Sequence, residues 1–396
     1  MREKRHKEGN IEKKEFMLWL CSLPGIGNVR GGRLLKLCEG SAERLYHAPK
    51  ALWREVVSES LYENVRRFTD RWRLWEEYVR LEEKGIGFIH IFEETYPDKL
   101  REIPDAPLGL FYRGRLPEKK EASVAVVGAR DCSEYGRYVA RELGEFLGRR
   151  GIGVVSGMAR GIDGISQQAA LDSGGRSYGV LGCGVDICYP AANRGLYERL
   201  LEQGGILSAY PPGTEPKPGN FPPRNRIVSG MADALVVIEA RERSGTLITV
   251  DMALEQGREV FVVPGRITDK LSDGCNGLLR QGARIFLSPG DFLEEMFPGA
   301  HTEPFTYQET TRGEVGSGNP RTDITIPDSR EREALEPQLR QVYEALDFTP
   351  RTLEQIRDRL SFSCSVGSLG AMLITLCVKR LALQVSPGCF CVSGKC

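Results

Sequence analysis

Ser123-Val-Ala-Val-Val-Gly-Ala-Arg130 and Gly153-Val-Val-Ser-Gly-Met-Ala-Arg-Gly-Ile-Asp163 are the two stretches that decide the fold. Each is a short β-branched run that breaks off at glycine. Each is followed by residues whose apolar members recur three and four apart, over Tyr135–Arg149 and Ile162–Ser173. A run with no polar face predicts a strand buried on both sides, and the longer period predicts an amphipathic helix laid across it. The pattern continues. Strands are expected over Val124–Val127, Gly153–Val155, Ser177–Leu181, Ile206–Ala209, Ala234–Ile238, Val260–Val263 and Arg284–Leu287, with further helices over Arg194–Gln203 and Leu247–Gln256. Strands and helices that alternate in this way predict an α/β fold of the Rossmann-like, doubly wound class, with a mainly parallel sheet and helices on both faces.

Outward from this centre the character of the chain changes. Residues 16–83 read as helical, with apolar spacing in Phe16–Leu23, Arg33–Cys38 and Phe68–Leu81. Leu23-Pro-Gly-Ile-Gly27 resembles the turn of a helix-hairpin-helix, a unit that either packs or offers backbone N–H groups to a DNA phosphate. Residues 1–84 are therefore expected to form a helical domain of SAM or helix-hairpin-helix type. Gly85 to Gly114 reads as a connector with one short strand, Phe88–Phe92, and Pro-rich turns, leading into the sheet domain, so that 85–298 form one domain. Residues 299–333, rich in Gly, Pro, Ser and Thr, read as a linker. Residues 334–396 then predict three helices (Glu336–Leu346, Leu353–Leu360, Val366–Lys379) and a hairpin of Leu381–Val385 with Phe390–Val392, a winged-helix-like pattern. Its third helix carries no cation before Lys379, which favours packing or partner contact over reading a DNA groove.

Composition narrows the classes. The 396 residues hold 54 basic and 54 acidic side chains, so affinity for nucleic acid has to come from local clusters. No apolar run reaches membrane-spanning length, and the charged stretch Met1–Lys14 lacks the apolar core of a signal peptide, so a cytoplasmic chain is expected. The eleven cysteines include no Cys-x-x-Cys pair, and with four histidines no metal-ligand constellation forms; neither metal nor cofactor is expected. Cys21, Cys38, Cys183, Cys188 and Cys377 sit in apolar runs and read as small buried thiols.

Four glycine-containing loops fall at the carboxyl ends of the expected strands, the edge where open parallel sheets bind ligands. They are Gly128-Ala-Arg130, Ser156-Gly157 through Arg160-Gly161 to Asp163, Gly182-Cys-Gly184, and Ser244-Gly245-Thr246 at a helix start. Glycine lets the backbone approach an anion, and N–H groups at a helix start bind one. Arg130 and Arg160 add charge-assisted bonds, and Ser244 and Thr246 add hydroxyls. Asp163, in the first turn of its helix, reads as a residue that orders the loop. No dinucleotide fingerprint or Walker-type loop is present.

The stretch 214–230 supplies what those loops lack. One aromatic, Phe221, stands among Lys217, Arg224 and Arg226 and the amides Asn220 and Asn225, with Pro216, Pro218, Pro222 and Pro223 restricting the backbone. A held ring stacks on any base and flanking cations hold the strand, so the group reads as a single-stranded nucleic-acid site. The alternative is a surface loop whose Phe plugs the core.

Order and spacing of these stretches resemble the DprA/Smf DNA-processing family. The matching residues are 126–130, 154–163, 180–190, 210–214, 219–227, 244–249, 253–260 and 263–265. The resemblance implies a protein without catalytic turnover that binds single-stranded DNA through its Rossmann-like domain, forms a homodimer through it, and loads the recombinase RecA in natural transformation. It also implies strand-binding roles for Gly128, Arg130, Ser156, Gly157, Arg160, Gly161, Lys217, Asn220, Phe221 and Arg224. To these the residue chemistry adds Asn225, Arg226, Ser244, Gly245 and Thr246. The chain departs from the family's commoner residues at Ala129, Ser166-Gln167 and Ala209, none of which removes a cation. Two other readings compete. One is a phosphoribohydrolase acting on nucleoside monophosphates, whose catalytic Glu would fall on Thr249 here, with Glu239 as the substitute to consider. The other is a nucleotide sensor that uses the same loops.

Overall fold

The computed structural model describes residues 11–298, 335–379 and 381–392. The linker expected at 299–333 lies outside them. Contacts divide the chain into two compact units, Met1–Asp131 with Ala140–Phe305, and Cys132–Val139 with Thr306–Cys396.

The first unit opens with helices α1 (Ile11–Ser22), α2 (Asn28–Leu37), α3 (Ala42–Tyr46), α4 (Lys50–Trp53), α5 (Glu59–Arg71) and α6 (Leu74–Glu83). The stretch Phe68–Leu81, expected as continuously helical, is broken at Trp72-Arg73. Trp72 turns to extended backbone and lays its indole on Phe68, with ring centroids 5.0 Å apart. A buried bond from Trp19 Nε1 to Thr69 Oγ1 (3.0 Å) ties α1 to α5.

The chain continues through β1 (Gly87–His90), α7 (Asp98–Arg101), β2 (Gly109–Gly114), β3 (Ser123–Val127), α8 (Glu134–Arg149), β4 (Gly153–Ser156), α9 (Ile162–Asp172), β5 (Ser177–Val180), α10 (Arg194–Gln203) and β6 (Gly204–Ser208). Then come α11 (Phe221–Gly230), β7 (Ala234–Val237), α12 (Gly245–Glu255), β8 (Glu259–Val262), α13 (Asp273–Arg280), β9 (Arg284–Ile285) and α14 (Pro289–Met296). The strands form a nine-stranded sheet in the order β1-β2-β6-β5-β4-β3-β7-β8-β9. From β6 to β9 neighbours run parallel, while β2 pairs antiparallel with both β6 and β1. The expected parallel α/β sheet is present, and the stretch read as a connector supplies two antiparallel strands at its edge. β2 hides in the sequence because its short Leu-Phe-Tyr run follows Pro-rich turns.

Period-two alternation settles how the helices attach. Phe88, Phe111 and Ile206 share one cluster with Leu18, Trp19, Leu34 and Leu45 of the N-terminal helices. Their neighbours Ile89, Leu110 and Leu207 face the opposite cluster with Ile227, Val250 and Leu235. The helices cover sheet surface that water would otherwise meet, and the expected boundary at residue 84 falls inside one compact unit. Doubly wound order follows from β3: β4, β5 and β6 step away on one side, β7 and β8 on the other. The crevice at that reversal opens at the carboxyl edge.

In the second unit the expected helices appear as α15 (Pro337–Glu344), α16 (Leu353–Arg357) and α17 (Val366–Val378), with β10 (Arg351–Thr352), β11 (Ala382–Ser386) and β12 (Cys389–Val392) in a three-stranded sheet. Thr352 and Gln355 form a capping box at the start of α16. The core is a separate cluster around Val342, Ile356, Leu369, Leu373 and Phe390.

Candidate nucleic-acid interface

Strand order places the loops after β5, β4, β3 and β7 side by side at one sheet edge. The loop after β4 is pressed against the loop after β3. Gly161 has φ +75°, and a Cβ on it would lie 2.3 Å from Ala129 O and 2.4 Å from Arg130 O, so only glycine fits. Asp163 and Gln167 hold the same loop from behind. Asp163 Oδ2 accepts from Gly157 N–H (3.1 Å) and Gln167 Oε1 from Met158 N–H (3.1 Å). Burial pushes the Asp163 carboxyl above its ordinary range, against the opposing pull of Arg224. The N–H groups of Ala159, Arg160 and Gly161 meet no acceptor among the described residues and lie at the start of α9. An anion reaching this edge would find those donors. It would also find the exposed guanidiniums of Arg130 and Arg160. Arg160 sits 3.7 Å from Asp131, both well exposed, a pair too loose to occupy it.

Beside these loops lies a pocket of about 220 Å³. Leu181, Gly182 and Cys183 make its floor, Tyr189-Pro190 and Phe221 its walls, and Arg130 and Arg160 its cationic side. Phe221 opens α11 and is half-buried. It lies close to Gly182, where a Cβ would approach its ring to 3.0 Å. Pro222 and Pro223 follow at the first helical positions, where a missing N–H costs no helical bond. Arg224 also lines the pocket but is only 5% exposed. Its Nη1 donates to the carbonyls of Gly157 (2.7 Å) and Val180, and its Nε to Asn225 Oδ1 (3.1 Å). Its guanidinium stands 5.6 Å from the Phe221 ring centroid. Burial pulls its pKa down, while Asp163 opposes the fall. A side chain at residue 157 would collide with it at 2.7 Å. Arg224, read from the sequence as a cation free to hold a strand, is thus largely spent on fastening the β4 and β5 loops to α11.

The remaining residues of the sequence reading divide. Asn220 Nδ2 donates to Gly182 O (3.0 Å) and joins two loops. Ser156 Oγ turns inward to Val126 O (2.6 Å) in the buried sheet, so its hydroxyl faces away from the pocket. Arg226 points away too, to Pro104 O and Glu255 Oε2, each at 2.9 Å. Asn225 is occupied with Arg224. Lys217 is exposed and does not line the pocket. Thr246 Oγ1 donates to Gly128 O (3.3 Å), linking the start of α12 to the first loop, and Ser244 Oγ is enclosed without a partner among the described residues. Gly245 is exposed at the same helix start. Thr249 and Glu239, the positions weighed for a hydrolase, are each 2% exposed.

Sequence reasoning passed over Tyr189, although the pair Tyr189-Pro190 stood at the end of a quoted motif. An aromatic fixed by a following proline at the ligand edge was the available signal. Among the thiols, Cys38 and Cys183 are buried, as expected of both, but Cys21, Cys188 and Cys377 are partly open, because each lies at an element end or loop. Burial pushes the Cys183 thiol up to about 11, so the pocket holds no thiolate nucleophile there. Among the described residues no His/Cys/Asp/Glu group could hold a metal, and no helix is long and apolar enough to cross a membrane.

The sequence profile of the family described as DNA recombination-mediator protein A matches residues 87–297. DNA processing protein DprA of Streptococcus pneumoniae is 44% identical over 205 residues, which cover 52% of this chain and 72% of that protein. Protein Smf of Synechocystis is 31% identical over 401 residues, covering 96% and 98%. The X-ray structure of the S. pneumoniae DprA superposes with a TM-score of 0.61 at 33% identity, over 71% of this chain and 98% of that one.

Proposed function

The chain belongs to the DprA/Smf family of DNA recombination mediators, and from that premise we propose that it binds single-stranded DNA along the carboxyl edge of its sheet and delivers the strand to RecA. One observation carries the reading. A half-buried ring, exposed guanidiniums and backbone N–H groups without acceptors converge around one pocket. A ring takes a base of any identity, while cations and amides take the phosphates on either side. The pocket opens on a sheet edge, so a strand can pass across it without being threaded. On this reading the protein acts in the cytoplasm as a homodimer, protects incoming DNA and turns over no substrate.

Fluorescence anisotropy of a labelled thymidine homopolymer tests it, with unlabelled single strand, duplex and mononucleotide as competitors. Competition by single strand alone supports the mediator. Equal competition by the mononucleotide would turn the site over to a small-ligand sensor or hydrolase. RecA filament assembly on strand pre-coated with single-strand-binding protein tests delivery. Assembly that is no faster with the protein present would remove the RecA step.

A further inference from the structure

Resting on the strand-binding reading above, we propose that Tyr189 is a second base-stacking platform, which takes the nucleobase next to the one held at Phe221. The two rings touch, with centroids 5.6 Å apart and planes inclined by 35°. That separation leaves no room for a base between them, so a second base has to take the face of Tyr189 turned away from Phe221. Both rings line the pocket, and Tyr189 is 40% exposed.

Two features of Tyr189 suit it to that role. Its hydroxyl makes no hydrogen bond among the described residues. By contrast Tyr178, Tyr197 and Tyr210 spend theirs on Glu121, Val185 O and Asn220 O. And while its hydroxyl is uncommitted, its loop is held on both sides. Asp186 Oδ1 accepts from Gly213 N–H (2.9 Å), Asn193 N–H donates to Pro190 O (3.1 Å), and Asn193 Nδ2 donates to the carbonyls of Met158 and Ala159. The last two bonds pin the Tyr189 loop to the loop that presents Arg160. A ring with a fixed base, a free face and a cation nearby is suited to a nucleobase whose phosphate meets that cation. Stacking of this kind is tolerant of sequence and adds nothing to the salt dependence, because no phosphate is neutralised.

Anisotropy titrations of a labelled thymidine homopolymer with wild type, Tyr189→Ala and Tyr189→Phe decide the matter, together with the emission of Tyr189→Trp. The native tryptophans, Trp19, Trp53, Trp72 and Trp75, all lie in the N-terminal region. The alanine variant is expected to raise Kd about five- to 150-fold, with an unchanged slope against salt, while the phenylalanine variant stays within about twofold of wild type. The tryptophan variant is expected to lose emission as strand saturates. Wild-type affinity in Tyr189→Ala, or an unmoved emission in Tyr189→Trp at saturating strand, overturns this inference and leaves the strand-binding reading standing. A wild-type chain that binds no single strand overturns both.

Discussion

Arg224 and Arg130 look alike in the sequence, each a cation beside a glycine-rich or proline-rich turn, and the structure gives them opposite work. Arg224 neutralises two inward-pointing carbonyls and is enclosed; Arg130 has no side-chain partner among the described residues and is exposed. Removing Arg224 takes away the guanidinium donor that Gly157 O and Val180 O share at the pocket's inner wall, a loss of about 1–3 kcal/mol. Arg224→Ala is therefore expected to lower the urea midpoint measurably, with strand binding lost as a consequence of the loosened loops. Arg130→Ala is expected to leave the urea midpoint unchanged. In anisotropy titrations it should weaken binding and flatten the slope of log K against log salt by about 0.7. If the two variants behaved alike, the division drawn from burial would be wrong. Residue type and spacing picked out both arginines, but whether a guanidinium faces a phosphate or a carbonyl depends on which loops fold over it. That information lies in Gly157 and Val180, far from Arg224 in sequence.

At the scale of elements, the strands and helices with a clear period were legible, and the errors fall where the period is short or interrupted. Residues 214–230 read as a proline-rich loop because four prolines obscured a helix that starts at Phe221, although proline at the first helical positions is a start signal. β2 was obscured by the turns around it, whereas β1 (Gly87–His90) was legible as the strand expected over Phe88–Phe92. The edge they form carries a titratable contact. His90, at the end of β1, is 7% exposed. Its backbone N–H donates to Glu93 Oε1 (2.9 Å), its ring Nε2 lies 3.6 Å from the same oxygen, and its Nδ1 is buried without a partner among the described residues. Lys14 of α1 reaches Glu93 Oε2 at 2.9 Å, so the contact joins the first helix to the sheet edge. Burial lowers the His90 pKa below 6.5, Glu93 pulling it up and Lys14 pushing it down. As pH falls through about 6.5 the unfolded chain binds a proton there that the folded chain refuses. The contribution is thus fully present above that pH and is lost on the way down to the folded value. Thermal melts from about pH 7.5 to about pH 5.5 are expected to show a falling midpoint, and His90→Gln should flatten that fall. An unchanged pH slope in the variant would assign the acid sensitivity to other groups.

For the molecule as a whole, the doubly wound order was readable because β-branched runs and amphipathic helices alternate from residue 123 onward, and the right-handed crossover rule leaves few ways to wind them. The attachment of the N-terminal helices was not readable, because it depends on which face of β1 and β2 carries Phe88 and Phe111, and β2 itself was unseen. Charge behaves likewise. Fifty-four basic and 54 acidic residues cancel, and many described cations are tied into local pairs, as Arg226 is with Glu255 and Lys99 with Asp233. A protein of zero net charge has no long-range field to gather DNA, so its salt dependence reports only the cations at the contact. The sequence offered five such cations; burial and pairing withdraw Arg224 and Arg226 and leave Arg130, Arg160 and Lys217 exposed. Three phosphates neutralised on a single strand predict a slope of log K against log salt of about −2 for each strand-binding site, where five would give about −3.5. The titration runs on wild-type protein with a thymidine homopolymer just long enough for one site. A slope near −3.5 would mean that Arg224 and Arg226 leave their carbonyl and carboxylate partners when DNA arrives, and a flat line would mean that the edge does not hold phosphates at all.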